Sequence, residues 1–124
     1  MGVSEPLIQS SLLGEAIEHA PVPVFVADDQ GNYVAVNRAA CQLLGYSREE
    51  LLRLSVSDIA QYDEAHLEWD DMSRAGSRVG SATLTCKNGT NVVFEYAAGA
   101  TTVAGMPVFL GVGVRVLGDV HARA

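Results

Sequence analysis

Cysteine, histidine and carboxylate are the side chains of this sequence that could do chemistry, and their spacing limits what chemistry is available. His66 stands four residues before Asp70 in "YDEAHLEWDDMSRA". On a helix that spacing sets an imidazole beside a carboxylate as a surface pair. Asp63, Glu64, Glu68, Asp70 and Asp71 crowd the same stretch and describe the solvated side of an amphipathic helix. Asp28 and Asp29 fall in "ADDQGN", where Asp serves turns through its backbone hydrogen bonds. Cys41 and Cys86 form neither a CxxC pair nor a zinc spacing, and an inert buried thiol is the expectation for Cys41. His19 and His121 have no partners at ligand spacing. No G-x-S-x-G, H-E-x-x-H or phosphate loop occurs. These residues point away from an enzyme.

The bulk numbers agree with a folded binding module. The chain has 124 residues, 48% of them hydrophobic, which suits one domain with a real core. Eight Lys and Arg against 15 Asp and Glu give a formal net charge of −7. So acidic a chain lacks the positive surface that nucleic acid or an anionic membrane requires. The N-terminus carries no basic segment leading into a long apolar run, and no stretch approaches the ~20 apolar residues of a membrane span. A cytoplasmic location is expected.

The elements that must position any site follow from periodicity and punctuation. In "LIQSSLLGEAIEH", residues 7–19, Ile8, Leu12, Ala16 and Ile17 run along one side of a helix, and Pro21 and Pro23 end it. Packing against the core and pairing with a second copy are both open to this helix, and pairing is the expectation. Residues 24–28 and 33–36 read as a hairpin, with Gly31 and Asn32 at positive φ in its turn. Asn37 caps a helix over 38–45 that Gly45 stops, with Ala40, Leu43 and Leu44 as its buried stripe. Ser47 and Glu50 form a capping box for a helix over 48–53. "SVSDIAQY" gives one more short helix, followed by a helix over 62–75 on which Ala65, Trp69 and Met72 share a face. "GSATLTCKNGTNVVFEYAAG" is a strand, an Asn-Gly turn and a strand, and "GMPVFLGVGVRV" is a last long strand. Helices between two β groups must cover one face of an antiparallel sheet.

That order, carried by "FVADDQGNYVAVNRAACQLLGYSREEL", "LTCKNGTNVVFE" and "FLGVGV", resembles the PAS sensory domain. The resemblance covers about residues 17–117. It implies an α+β fold: a five-stranded antiparallel sheet with short helices wrapping one face and enclosing a pocket, here preceded by an amphipathic helix. Residues 1–20 are then the dimerisation helix, 21–117 the PAS domain and 118–124 a tail or linker. Relatives bind haem, flavin or small metabolites, or only mediate contacts, and pass a signal to an output domain in bacterial transcription regulators and two-component systems. Many of them end the last strand in Asp-Ile-Thr. "VRVLGDVHARA" has no such motif, so the output partner lies outside these residues and the chain is either a stand-alone protein or a fragment.

The resemblance also sorts the ligands. Aligning on "GYSREE" puts Val56 where flavin photoreceptors carry their adduct-forming Cys. Leu84, Phe94 and Gly113 fall where those proteins place polar groups for the flavin edge, so a flavin does not fit. Haem sensors of the family carry their proximal His on the long helix, and His66, Trp69 and Gly76 match that spacing. The following stretch is shorter than theirs and lacks their Arg, so a surface His66 ranks above an iron ligand. A small or apolar ligand is the third option. Its pocket is formed by Phe25, Ala27, Ala82, Leu84, Phe94, Tyr96, Ala98, Phe109, Gly111 and Gly113 on the sheet, with Leu44, Val56, Ile59 and Trp69 from the helices. Gly111 and Gly113 carry most information, since glycine inside a strand marks close approach of another group. Tyr96 would supply a polar contact. The expectation is a homodimeric sensor with a small-molecule ligand and no direct nucleic-acid or membrane contact. The alternative is a ligand-free dimerisation module whose helices close over the glycines.

Overall fold

In a computed structural model the chain is described over residues 5–60 and 77–119. Its elements are α1 (Pro6–Glu18), β1 (Val24–Asp28), β2 (Tyr33–Val36), α2 (Arg38–Leu44), α3 (Arg48–Leu51), α4 (Val56–Ile59), β3 (Ser77–Thr85), β4 (Asn91–Val103) and β5 (Met106–Asp119). The five strands form one sheet in the order β2-β1-β5-β4-β3, with every neighbouring pair antiparallel. The expected fold class is the observed one. The helix expected over 62–75 lies outside the described residues.

Local chemistry explains most of the boundaries. Pro6 opens α1, where a missing N–H costs nothing. The Asp28 carboxylate accepts the N–H of Gln30 and of Asn32, each at 2.9 Å, and Gly31 takes φ +86°. Only Gly31 is left-handed in this turn. The positive φ expected at Asn32 is absent, because Asn32 is held by Asp28 and bridges to Ser55. Asn37 caps α2 by accepting the N–H of Ala40, and Gly45 ends that helix at φ +80°. The capping box of Ser47 and Glu50 is present on α3. A similar device opens α4, where the Asp58 carboxylate accepts the Ser55 N–H at 2.8 Å.

Two hairpins join the last three strands. The β3–β4 turn puts Gly89 at φ +90° after Lys87 and Asn88. The β4–β5 turn uses Ala104 at φ 50° and Gly105 at φ 79°, two consecutive left-handed residues. That is the sign pattern of a tight hairpin turn whose twist matches the flanking strands.

The core lies between the sheet and α2–α4. Ala40, Leu44, Leu51 and Ile59 from the helical layer meet Phe25, Ala27, Leu84, Phe94 and Tyr96 from the sheet. Helix α1 has no fully buried side chain. The thiols depart from expectation: Cys86 is the buried one, whereas Cys41 is half-exposed because it sits off the Ala40–Leu44 stripe. Desolvation still pushes the Cys41 thiol up.

Candidate functional site

Strand register decides which side chains share the core face of the sheet. Phe25 lies opposite Gly111 and Ala27 opposite Phe109 across β1 and β5. Tyr96 lies opposite Gly113 on β5 and opposite Gly80 on β3, while Phe94 faces Ala82 and Val92 faces Leu84. Alternation along each strand therefore gathers the apolar residues named from the sequence on one face. Phe25, Ala27, Ala82, Leu84, Phe94 and Tyr96 are buried there, and Ala98 packs half-buried at the margin. From the helices, Leu44 and Ile59 are fully buried against them, and Val56 packs half-buried on the cluster. Trp69 and His66 lie outside the described residues.

The aromatic residues form a connected series. Phe25 meets Tyr33 with ring centroids 5.6 Å apart and meets Phe94 edge-on at 6.1 Å, and Phe94 meets Tyr96 at 5.6 Å. Tilted and edge-on contacts of this kind are favourable beyond the area they bury. Burial pushes the Tyr33 hydroxyl well up. Tyr33 and Val36 belong to this core, and Val34 and Ala35 between them are exposed. Strict alternation would put Tyr33 and Val36 on opposite faces; the register shift opposite Val26 and Ala27 brings both to the core, and the ligand argument drawn from the sequence passed them over.

The two glycines of β5 differ. A Cβ on Gly113 would come within 2.6 Å of Pro23 Cγ and 2.8 Å of Phe94 Cδ2, so protein already fills the space beside it. Among the described residues, a Cβ on Gly111 would meet nothing nearer than the Phe25 carbonyl oxygen at 4.0 Å. Of the two glycines, Gly111 is the one that leaves room among the described residues.

The chemistry of the face is apolar. Val56, Leu84, Phe94 and Gly113 offer no hydrogen-bonding side chain, and among the described residues no group of three or more His, Cys, Asp or Glu is arranged to hold a metal. Among the same residues no helix is long and apolar enough to cross a membrane.

The helical layer is fastened to the β3–β4 turn. The Lys87 N–H donates to the Leu44 carbonyl at 2.8 Å, the Cys86 thiol to the Leu43 carbonyl at 3.5 Å, and Lys87 Nζ to Glu50 at 2.7 Å. The hydrogen bond from Lys87 holds the Glu50 carboxyl below its usual 4.5, and the Arg48 guanidinium does the same for Glu18. The Asn32 N–H lowers Asp28 in the same way. Depressed carboxyl values mean stability that is present above the usual range and lost as pH falls through the folded values. Acid titration of the fold is therefore expected to show falling stability below about pH 4.5. Glu50→Gln should flatten the midpoint-against-pH curve in that window, and an unchanged slope would refute the assignment.

Comparisons with known proteins extend over the same residues. The family model described as PAS fold matches residues 12–112. No curated protein sequence matches. Among solved structures, a domain of a sensory box sensor histidine kinase/response regulator from Geobacter sulfurreducens is 24% identical, with a TM-score of 0.76, covering 90% of this chain and 98% of that one. The PAS domain of nitrogen regulation protein NR(II) from Vibrio parahaemolyticus is 19% identical, with a TM-score of 0.70, over 84% of this chain and 97% of that one. The PAS domain of a LuxR-family transcriptional regulator from Burkholderia thailandensis, solved in complex with ethanol, is 15% identical, with a TM-score of 0.65, over 87% and 96%. The strand order, the capped helices on one face and the match across residues 12–112 agree, and the chain belongs to the PAS family.

Proposed function

We propose that this is a cytoplasmic, non-catalytic sensory domain that takes a small apolar ligand between the sheet and the helices and signals through dimer packing. The observation that carries the ligand is Gly111, a glycine on the core-facing side of a central strand, where an added Cβ would meet no atom of the described residues nearer than 4.0 Å. Phe25, Phe94, Leu44 and Ile59 around that face suit an apolar molecule held by shape. Support for a small ligand comes from a relative of the same fold solved with ethanol. A ligand acts only by favouring one of two packings, so its effect cannot exceed its differential affinity.

A second observation favours the dimer and is shared by the alternative, a ligand-free interaction module. On α1, Leu7 is 82% exposed and Leu13 63%, and Leu12 and Ile17 are exposed with them. Ile8 is half-buried and Ala16 exposed. A helix that shows this much leucine gains by packing against a second copy of itself.

Native and denaturing masses of the purified protein separate the two readings. Excess mass in the native state supports the ligand, and the bare polypeptide mass after incubation with short-chain alcohols supports the module. A Soret band after haem reconstitution would replace both with a haem sensor using His66. For the dimer, sedimentation of a chain starting at Ala20 is expected to show more monomer than the full chain. Equal masses for the two would sink it.

A further inference from the structure

Helix α1 has no buried side chain, yet its last turn is tied to the domain at two polar points. The first is Asn37, at the junction of β2 and α2 and only 3% exposed. Its Oδ1 accepts the N–H of Val24 at 2.9 Å and of Ala40 at 3.0 Å. Its Nδ2 donates to the carbonyls of Ile17 at 2.8 Å and Val22 at 2.9 Å. One side chain thus holds the end of α1, the linker after it, the start of β1 and the first turn of α2. The second point is Arg48, which opens α3. Its Nη2 lies 2.6 Å from both carboxylate oxygens of Glu18, and its Nε donates to the Val36 carbonyl at 3.3 Å.

The partners of these two residues make the arrangement directional. On one side stand Ile17 and Glu18, in a helix with little hydrophobic hold of its own. On the other stand α2, whose Ala40 and Leu44 are fully buried in the core, and α3 with its buried Leu51. A shift of α2 and α3 over the sheet would move Asn37 and Arg48, and α1 would have to follow or let go. The Glu18–Arg48 pair is largely solvated and so contributes little by itself. The Asn37 bonds are buried and hold more. We propose that Asn37 and the Glu18–Arg48 pair form a releasable two-point clasp that sets the placement of α1 and carries displacements of α2 and α3 into it. The clasp does not depend on a ligand, so a failed ligand screen leaves it standing.

Amide hydrogen exchange on the full chain tests it, with Asn37→Asp as the selective variant. Aspartate keeps an oxygen for Val24 and Ala40 and caps helices as well as asparagine does. It replaces the donor facing the Ile17 and Val22 carbonyls with a second oxygen. The expected result is exchange about tenfold faster or more across α1, with β1, β4 and β5 unchanged. An α1 already unprotected in the native chain, an α1 unaffected by Asn37→Asp, or acceleration spread evenly over the sheet would overturn the clasp.

Should Asn37→Asp not fold, the surface pair decides. Glu18→Arg and Arg48→Glu should each speed exchange in α1, and the double swap should restore it; no change in either single variant overturns the proposal. For transmission, Leu44→Val loosens α2 on the core. It is expected to speed α1 exchange in the native chain and to add nothing further in Asn37→Asp. Simple additivity of the two would show that α2 does not act through the clasp.

Discussion

Asn37→Ala is expected to lower the unfolding free energy by about 3 kcal/mol, from the loss of a helix cap and the stranding of buried backbone groups. The cap on α2 accounts for about 1 kcal/mol of that. The Val24 N–H opens the first core strand on a buried residue, and without Oδ1 it loses its side-chain acceptor. A buried donor left unsatisfied costs about 1–3 kcal/mol. The Ile17 and Val22 carbonyls cost less, because α1 is exposed and can peel away to let water reach them. Denaturant unfolding monitored by Trp69 fluorescence and by circular dichroism gives the measurement, with an unchanged slope expected since the exposed area is the same. A loss under 1 kcal/mol would mean that water already serves those groups.

The same residue shows where the sequence was legible and where it was not. The acceptor half of Asn37 could be read, because its partner Ala40 is three residues away and the pattern of a polar residue before an apolar helix is local. The donor half could not, because Ile17 lies 20 residues back on another element. Asp28, Gly31, Gly45, Ser47 and Glu50 were legible for the same local reason: each acts on backbone within four residues. The β4–β5 turn was not, since Ala104 takes a left-handed conformation that alanine rarely adopts. Alternation told which residues face the core, but not how far the strands reach. β4 continues to Val103 and β5 to Asp119 because each is the other's partner along nearly its whole length.

Volume on the core face was the least legible quantity, and it supports the second large prediction. Gly111 and Gly113 look equivalent in "FLGVGV", two residues apart on one side of one strand. Tertiary packing separates them, because Pro23 and the Phe94 ring converge on Gly113 from elements 90 and 19 residues away in sequence, and of the described residues only the Phe25 backbone approaches Gly111. Gly113→Ala is therefore expected to cost about 2–3 kcal/mol, the penalty of forcing a methyl into a packed interior. Neither neighbour can yield cheaply: Pro23 is a fixed ring whose carbonyl accepts the Gly113 N–H at 2.8 Å, and Phe94 is wedged between Phe25 and Tyr96. Gly111→Ala should instead be neutral or stabilising by up to about 1 kcal/mol, since it removes backbone freedom from the unfolded chain and meets no atom of the described residues closer than van der Waals contact. Thermal unfolding of the two variants side by side decides this. Equal losses at both positions would mean that the room at Gly111 does not exist. If Gly111→Ala is stable and the native chain carries excess mass, the variant should lose that mass, because its methyl then stands where the ligand does.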